Sequence, residues 1–272
     1  MDPSPPSPSD TASDSSPDLA PLVTVTHRAD LLAALEAAPL GKDQLTARLD
    51  CSRSTVDRGV RELEAHSMVR RRDQQVALTA AGELALEEYR RSQSVLRSLD
   101  AAGSLLTFVS ASAPLSPALF QGATIHEPDP HAPNRPIERI AHLFREAHRV
   151  RGLVAEERIP TFRRVLTERT VAGDLEAELV FTDELLAYVI EAYGETLQRV
   201  LSTGAFEGYA ADEIPYGMAL LETSRASYTF VVVTHGDEVR GVIENDTRAA
   251  YEWASGVFRR YRAQATRLQP PE

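Results

Sequence analysis

The sequence predicts an α+β chain: an N-terminal winged helix-turn-helix followed by a C-terminal α/β domain built on a mixed sheet. Three observations predict it. Between Leu31 and Leu63 apolar residues recur at helical spacing, in stretches broken at Pro39 and Gly41 and again at Asp50-Cys51. Two short segments of strand character, 68–71 and 75–78, follow at once, joined by Arg72-Asp73-Gln74. From about Gly122, strand-like and helix-like segments alternate as in a parallel sheet, then give way to strands in close succession.

Each element has its own signal. The first helix presents Leu31, Leu32 and Leu35 as an apolar face, and the second, 43–49, buries Leu45 and Leu49. Ser52 is placed to cap the third, RSTVDRGVRELEAH, because its hydroxyl accepts from backbone N–H groups left open at a helix start. Val56, Val60 and Leu63 then share one side of that helix. Thr79 is placed to cap a long helix over 80–100, of the kind that serves as a dimer strut or as a link to a second domain. Further on, strands at 123–126, 150–155 and 177–181 alternate with helices at 136–149, 160–172 and 183–202. Strands at 206–211, 216–222, 227–234 and 239–244 are expected to form an antiparallel meander, and a last helix covers 247–267. The expected organisation is a disordered acidic tail (1–21), a winged helix-turn-helix (22–79), a linker helix and connector (80–121) and an α/β domain (122–272).

Charge is distributed unevenly. The formal net charge of −11 argues at first against a nucleic-acid partner. The tail carries −4 and residues 100–272 carry −8, whereas residues 22–99 carry +1, so the acid lies away from the helix-turn-helix. Lys42 is the only lysine against 28 arginines. An acidic chain that prefers Arg to Lys fits a halophilic cytoplasm, where surface carboxylates keep a protein hydrated; the plain alternative is an acidic mesophile protein. Cys51 is the only cysteine, which excludes an internal disulfide and a cysteine-rich zinc site. No apolar run approaches the roughly 20 residues of a membrane span. The Pro-, Ser- and Asp-rich start has neither the basic nor the apolar region of a signal peptide, so a cytoplasmic location and no membrane partner are expected.

The third helix and the hairpin carry the candidate chemistry. A helix that reads the major groove does so with side chains near its N-terminus. Ser52, Arg53, Ser54, Thr55 and Arg58 occupy that position, with Arg61 better placed for phosphate. Arginine bonds guanine bidentately, and Ser or Thr meets either base or phosphate. Asp57 interrupts the basic face and either accepts from cytosine or orients an arginine. In the hairpin Arg70, Arg71 and Arg72 precede Gln74 and Gln75, but alternate strand residues share a face, so the three arginines cannot all point one way. Arg71, Arg72 and Gln74 complete the expected contact set for double-stranded DNA.

The run CSRSTVDRGVRELEAHSMVRRRDQQVALTAAGE resembles the winged-helix domains of archaeal transcription regulators of the broad ArsR/MarR-like group. There a recognition helix of the pattern S-x-S-T-V-x-R-x-V-x-x-L and an L-T-x-x-G after the wing recur. The resemblance covers residues 27–100 and implies a winged-helix fold that binds DNA, more specifically than it implies any target. A homodimer whose two recognition helices read a two-fold symmetric site one turn apart is the expected mechanism. DEIPYGMALLE and NDTRAAYEWASGVFRRYR, within residues 120–267, resemble the sensor domain of the methanogenesis-regulator (Fil-type) family of haloarchaea and methanogens. That resemblance implies an effector domain and names no effector.

Other readings remain in view. The winged helix is alternatively a module that docks another transcription factor, or the regulatory head of an enzyme. No H-E-x-x-H, G-x-S-x-G, Walker A or dinucleotide glycine pattern is present, so neither catalysis nor a cofactor is expected. His126 and His131 in HEPDPH read as a Pro-rich surface loop rather than a metal site. Cys51, in the turn before the third helix, is a redox candidate or simply a half-buried turn residue. Pockets in α/β sheets open at the carboxyl ends of strands, which nominates Glu156, Glu157, Phe181 and Thr182, with Pro215 and Tyr216, for a small-molecule effector. Tyr251, Trp253, Phe258 and Tyr261 recur at helical spacing as core or dimer packing.

Overall fold

The computed structural model describes residues 19–157, 160–236 and 238–269, and the chain divides into two compact units that meet at Arg90/Arg91. The expected tail, 1–21, falls almost wholly outside the described residues.

In the first unit, α1 (Ala20–Leu35) carries Pro21 in its first turn and leaves helical dihedrals at Arg28. A two-residue strand, β1 (Leu40–Gly41), leads into α2 (Lys42–Leu49), which stops where Asp50 takes a left-handed conformation at φ 47°. Then α3 (Arg53–Ala65) begins at Ser52, whose hydroxyl accepts from Thr55 N at 3.2 Å. The wing is β2 (Val69–Arg72) and β3 (Gln75–Leu78), antiparallel, with β1 on the outer side of β3. Asp73 and Gln74 both have positive φ (50° and 67°), so the hairpin closes in a two-residue type I′ turn. Leu32, Leu45, Val56, Val60 and Leu63 are buried where α1, α2 and α3 meet.

The L-T-x-x-G motif, Leu78 to Gly82, has a structural cause. The Thr79 hydroxyl donates to Ser67 O at 2.6 Å and accepts from Gly82 N at 3.1 Å, while Thr79 N donates to Met68 O. This ties the start of α4 (Ala80–Ala101) to the entry of the wing. A Cβ on Gly82 would lie 2.0 Å from Met68 O, so no larger residue fits that approach.

In the second unit the expected connector is not separate. Within it, α5 (Gly103–Leu106) and α6 (Pro117–Phe120) bury Leu105, Leu119 and Phe120 against the sheet. Next come β4 (Thr124–His126), α7 (Arg135–Glu146) and β5 (Ala147–Val154), then α8 (Pro160–Ala172), β6 (Glu176–Thr182) and α9 (Asp183–Leu201). The chain continues through β7 (Phe206–Ala211), β8 (Gly217–Thr223), β9 (Ser227–His235) and β10 (Glu238–Asn245) and ends in α10 (Arg248–Gln264) and β11 (Thr266–Arg267). The eight-stranded mixed sheet has the order β11-β7-β6-β5-β8-β9-β10-β4.

Three boundaries differ from the sequence expectation. The helix expected to reach residue 149 stops at Glu146, because Ala147 and Val150 are needed as sheet core and Arg149 reaches Glu178 on β6. The expected four-strand meander holds only from β8 onward: the crossover through α9 brings β7 back parallel to β6. The last helix ends at Gln264, and Thr266 and Arg267 pair with β7 instead.

Alternate strand positions build two cores, one on each face of the sheet. One face is covered by α7, α8 and α9 through Ile137, Phe144, Val165 and Leu185. The other is covered by α10, α5 and α6, with Val95 and Leu99 from the end of α4. The aromatic stripe of α10 belongs to this second core: Phe258 is fully buried, and Tyr251, Trp253 and Tyr261 pack around it.

Candidate nucleic-acid interface and ligand cavity

On α3 the buried positions Val56, Val60 and Leu63 define the inner face. At about 100° per residue, Ser54, Arg58 and Arg61 fall together on the outer face, and all three are exposed. Arg53 and Asp57 lie to one side, toward α2. The nine residues nominated for DNA therefore do different work. The Ser52 hydroxyl is the helix cap, and it also contacts the hydroxyls of Ser54 (2.8 Å) and Thr55 (2.9 Å). Arg53 is hydrogen-bonded to Asp43, and Asp57 to Lys42. Arg61 turns back so that its Nε donates to Asp57 O at 3.2 Å. Among the described residues Arg58 makes no hydrogen bond or ion pair; its charge, one helical turn away, helps hold the Glu62 carboxyl low.

The wing sorts its arginines as strand alternation requires. Arg71 stands opposite the buried Val76 and turns inward, where its Nε donates to Glu64 at 3.1 Å. Arg70 and Arg72 share the outer face, and Arg72 lies 3.7 Å from Asp73 in the turn. Gln74 occupies the tip of that turn. Lys42, Asp43, Arg53, Asp57 and Arg71 line a cleft between α2, α3 and the wing, in which every cation faces a carboxylate.

Electrostatics follow from these pairs. The Lys42 ammonium holds the Asp57 carboxyl below its ordinary range, and Arg28 does the same to Glu62. Arg53 is raised further by its bond to Asp43. The Arg53–Asp43 pair is well exposed, at 64% and 77% of the side chains, so its net attraction is weak and an incoming phosphate can exchange for the carboxylate. Sequence reading missed Asp43, Lys42 and Glu64 as partners, because these pairs join different elements and have no local spacing signal.

Cys51 is half-buried against the core of the first unit, with a free thiol. His126, read from the sequence as part of a surface loop, is instead the last residue of β4, paired with Val242. Its Nε2 lies 2.7 Å from Glu244, and Arg139 holds the same carboxylate through Nη2 at 3.1 Å. Among the described residues no three His, Cys, Asp or Glu side chains are grouped to hold a metal. No helix there is long and apolar enough to cross a membrane.

The second unit contains a partly open apolar cavity of about 240 Å³ at the carboxyl ends of β5 and β6, lined by α7, α8 and α9. Phe144, Phe162, Leu166, Phe181, Leu185 and Val189 make much of its wall. Of the six positions nominated for an effector, Glu156, Glu157 and Phe181 line it. Thr182 instead caps α9, its hydroxyl accepting from Leu185 N at 3.3 Å. Tyr216 belongs to the opposite core, where its hydroxyl donates to Pro114 O at 2.8 Å and burial pushes its pKa up. Pro215 precedes it and does not line the cavity. The polar end of the cavity includes two residues that sequence reading missed: Arg163, bonded to Glu157 at 2.5 Å, and Tyr193, whose ring lies 3.3 Å below the Arg163 guanidinium.

Two family models match the chain, one in each half. Residues 133–264 match the model described as methanogenesis regulatory protein FilR1, middle domain. Residues 17–100 match the HVO_A0261 N-terminal domain. The first match lies within the second unit and takes in the cavity; the second takes in α1 to α4. No curated protein matches the chain in sequence. Among solved structures, TrmBL2, described as an archaeal chromatin protein with a novel mode of DNA binding, aligns at 11% identity and a TM-score of 0.42, over 94% of this chain and 96% of that one. PigF with S-adenosylhomocysteine aligns at 16% identity and a TM-score of 0.25, over 70% and 73%. The methyltransferase CalO1 aligns at 15% identity and a TM-score of 0.24, over 71% and 76%.

Proposed function

We propose that the chain is a DNA-binding transcription regulator of archaeal type that reads double-stranded DNA through α3 and the wing. The observation that carries the reading is the outer face of the Ser52-capped helix. Ser54, Arg58 and Arg61 stand there in one exposed stripe, beside a tight wing with Arg70 and Arg72 on its outer face. The match of residues 133–264 to the middle domain of a regulatory protein supports it. In this reading Arg58 makes the base contact, Ser54 and Thr55 meet base or phosphate, and Arg61, Arg70 and Arg72 meet phosphate. Arg53 and Arg71 join only by exchanging Asp43 and Glu64 for the DNA.

The proposal extends to a homodimer whose two α3 helices meet half-sites about one turn apart. The exposed Leu84 and Leu96 on α4 support self-association. The second unit then acts as a sensor: an effector shifts the dimer only if it binds one arrangement better than the other.

Selection of bound sequences from random duplex DNA tests the reading. A two-fold symmetric motif is expected to be enriched by the wild type and lost with Arg58→Ala. Enrichment of nothing, together with capture of a second transcription factor, favours the protein-docking alternative.

A further inference from the structure

We propose that the cavity of the second unit binds a small, largely apolar molecule carrying one neutral hydrogen-bond donor, an alcohol or a phenol, and that the Glu157 carboxylate receives it. This deepens the sensor reading above and rests on it only for its regulatory meaning.

Size and lining set the body of the ligand. An apolar cavity of roughly 150 Å³ holds benzene. At about 240 Å³, with walls supplied by Phe144, Phe162, Leu166 and Phe181, this one accommodates a single ring bearing a short aliphatic substituent. Its position is where ligands enter open α/β sheets: strand order turns back at β5, with β6 on one side and β8 on the other.

The polar end sets the head group. Glu157 Oε2 accepts from Arg163 Nη1, while Glu157 Oε1 is buried and has no hydrogen-bond partner among the described residues. A buried acceptor left open carries a standing cost, which a ligand donor removes. The Arg163 charge is already answered twice, by the Glu157 carboxylate and by the face of the Tyr193 ring. A carboxylate ligand would therefore meet a neutralised arginine and a carboxylate oxygen, whereas a hydroxyl meets a free acceptor. The ring is delivered by a break in the helix: α9 leaves helical dihedrals at Tyr193 (φ −142°, ψ 25°), which places that residue on the cavity wall under Arg163.

Three matched probes separate these chemistries: 4-propylphenol, propylbenzene and 4-propylbenzoate, titrated calorimetrically into the full-length protein without DNA. The phenol is expected to bind about tenfold or more tighter than the hydrocarbon, and the benzoate weakest. Glu157→Met frees Arg163, so the order is expected to invert, with the benzoate tightest. Val189→Trp fills the cavity and is expected to remove binding of all three while the melting profile stays two-unit and cooperative. Equal affinities for phenol and hydrocarbon, a wild-type preference for the benzoate, or no binding of any probe up to its solubility overturns the proposal. Because no DNA is present, failure here leaves the DNA reading intact, and failure of DNA binding leaves this titration informative.

Discussion

The contact between Gly82 and the wing is tight enough to be worked through as a perturbation. Gly82→Ala adds a methyl group 2.0 Å from Met68 O, 3.0 Å from Met68 C and 3.1 Å from Leu78 Cδ2. A comfortable C···O contact needs about 3.3 Å, so either the wing entry or the start of α4 must move by about 1 Å. The obstacle is backbone, and the carbonyl also accepts from Thr79 N at 3.1 Å, so a shift weakens that bond. Overpacking of this kind costs about 1–3 kcal/mol, and a weakened hydrogen bond adds about 1 kcal/mol. The gain in helix propensity from Gly to Ala returns at most about 1 kcal/mol. The net expectation is a loss of about 1–3 kcal/mol in the first unit, or a fall of about 5–20 °C in its melting temperature. Gly59→Ala is the control. Its added methyl meets only side-chain ends, Leu31 Cδ1 at 3.0 Å and Arg28 Cδ at 3.2 Å, which can give way. That variant is expected to stay within about 1 kcal/mol of wild type. Scanning calorimetry of the full chain measures both, with hydrogen exchange over residues 19–90 assigning the transition. A Gly82→Ala protein that melts within about 2 °C of wild type would refute the steric argument.

Other expectations follow from the same geometry. Gln74→Gly relieves a positive φ in a type I′ turn and should stabilise the first unit by about 1 kcal/mol, read as a higher first transition. The carboxyls of Glu36, Asp57 and Glu62 are held low by hydrogen bonds from Arg90, Lys42 and Arg28. Their contribution is thus present above the ordinary carboxylate range near pH 4 and is lost as pH falls through their lowered folded values. Acid titration should therefore weaken the first unit below about pH 4, and Lys42→Met with Arg28→Met should flatten that dependence. Arg151 is mostly buried, with its Nη2 on Tyr251 at 2.7 Å and Glu222 at 3.6 Å, so Arg151→Ala should cost the second unit about 2–3 kcal/mol by denaturant melting. Arg70→Ala or Arg72→Ala should lower DNA affinity evenly across sequences and reduce the salt slope by about 1.

The first unit was legible in the sequence because its signals are local. Ser52 caps three residues ahead, the Asp50 turn breaks the helices, and Thr79 and Gly82 sit three residues apart. The 3.6-residue spacing of Val56, Val60 and Leu63 fixed the inner face of α3 and with it the outer one. What stayed hidden depends on residues far apart. Nothing near Arg53 or Arg71 announces that Asp43 and Glu64 will meet them across elements. Residues 147–149 read as helix because they continue an amphipathic run, and only the neighbouring strands β6 and β8 make them sheet. The cavity was half legible: strand ends pointed to Glu157 and Phe181, but Arg163 and Tyr193 arrive from two different helices. Tyr216 was misplaced because strand alternation at the start of β8 sends it to the other face.

The central claim is that α3 reads DNA with its outer face. Base-resolution footprinting on a selected duplex tests it most directly, comparing wild type with Arg58→Ala, Arg61→Ala and the inward-facing Arg71→Ala. Arg58→Ala is expected to erase protection at one defined base position in each half-site, a loss of about 1–3 kcal/mol. Arg61→Ala should weaken the whole footprint evenly, and Arg71→Ala should leave its pattern unchanged. A wild-type footprint from the Arg58→Ala protein, with its dimer and fold intact, would contradict the account.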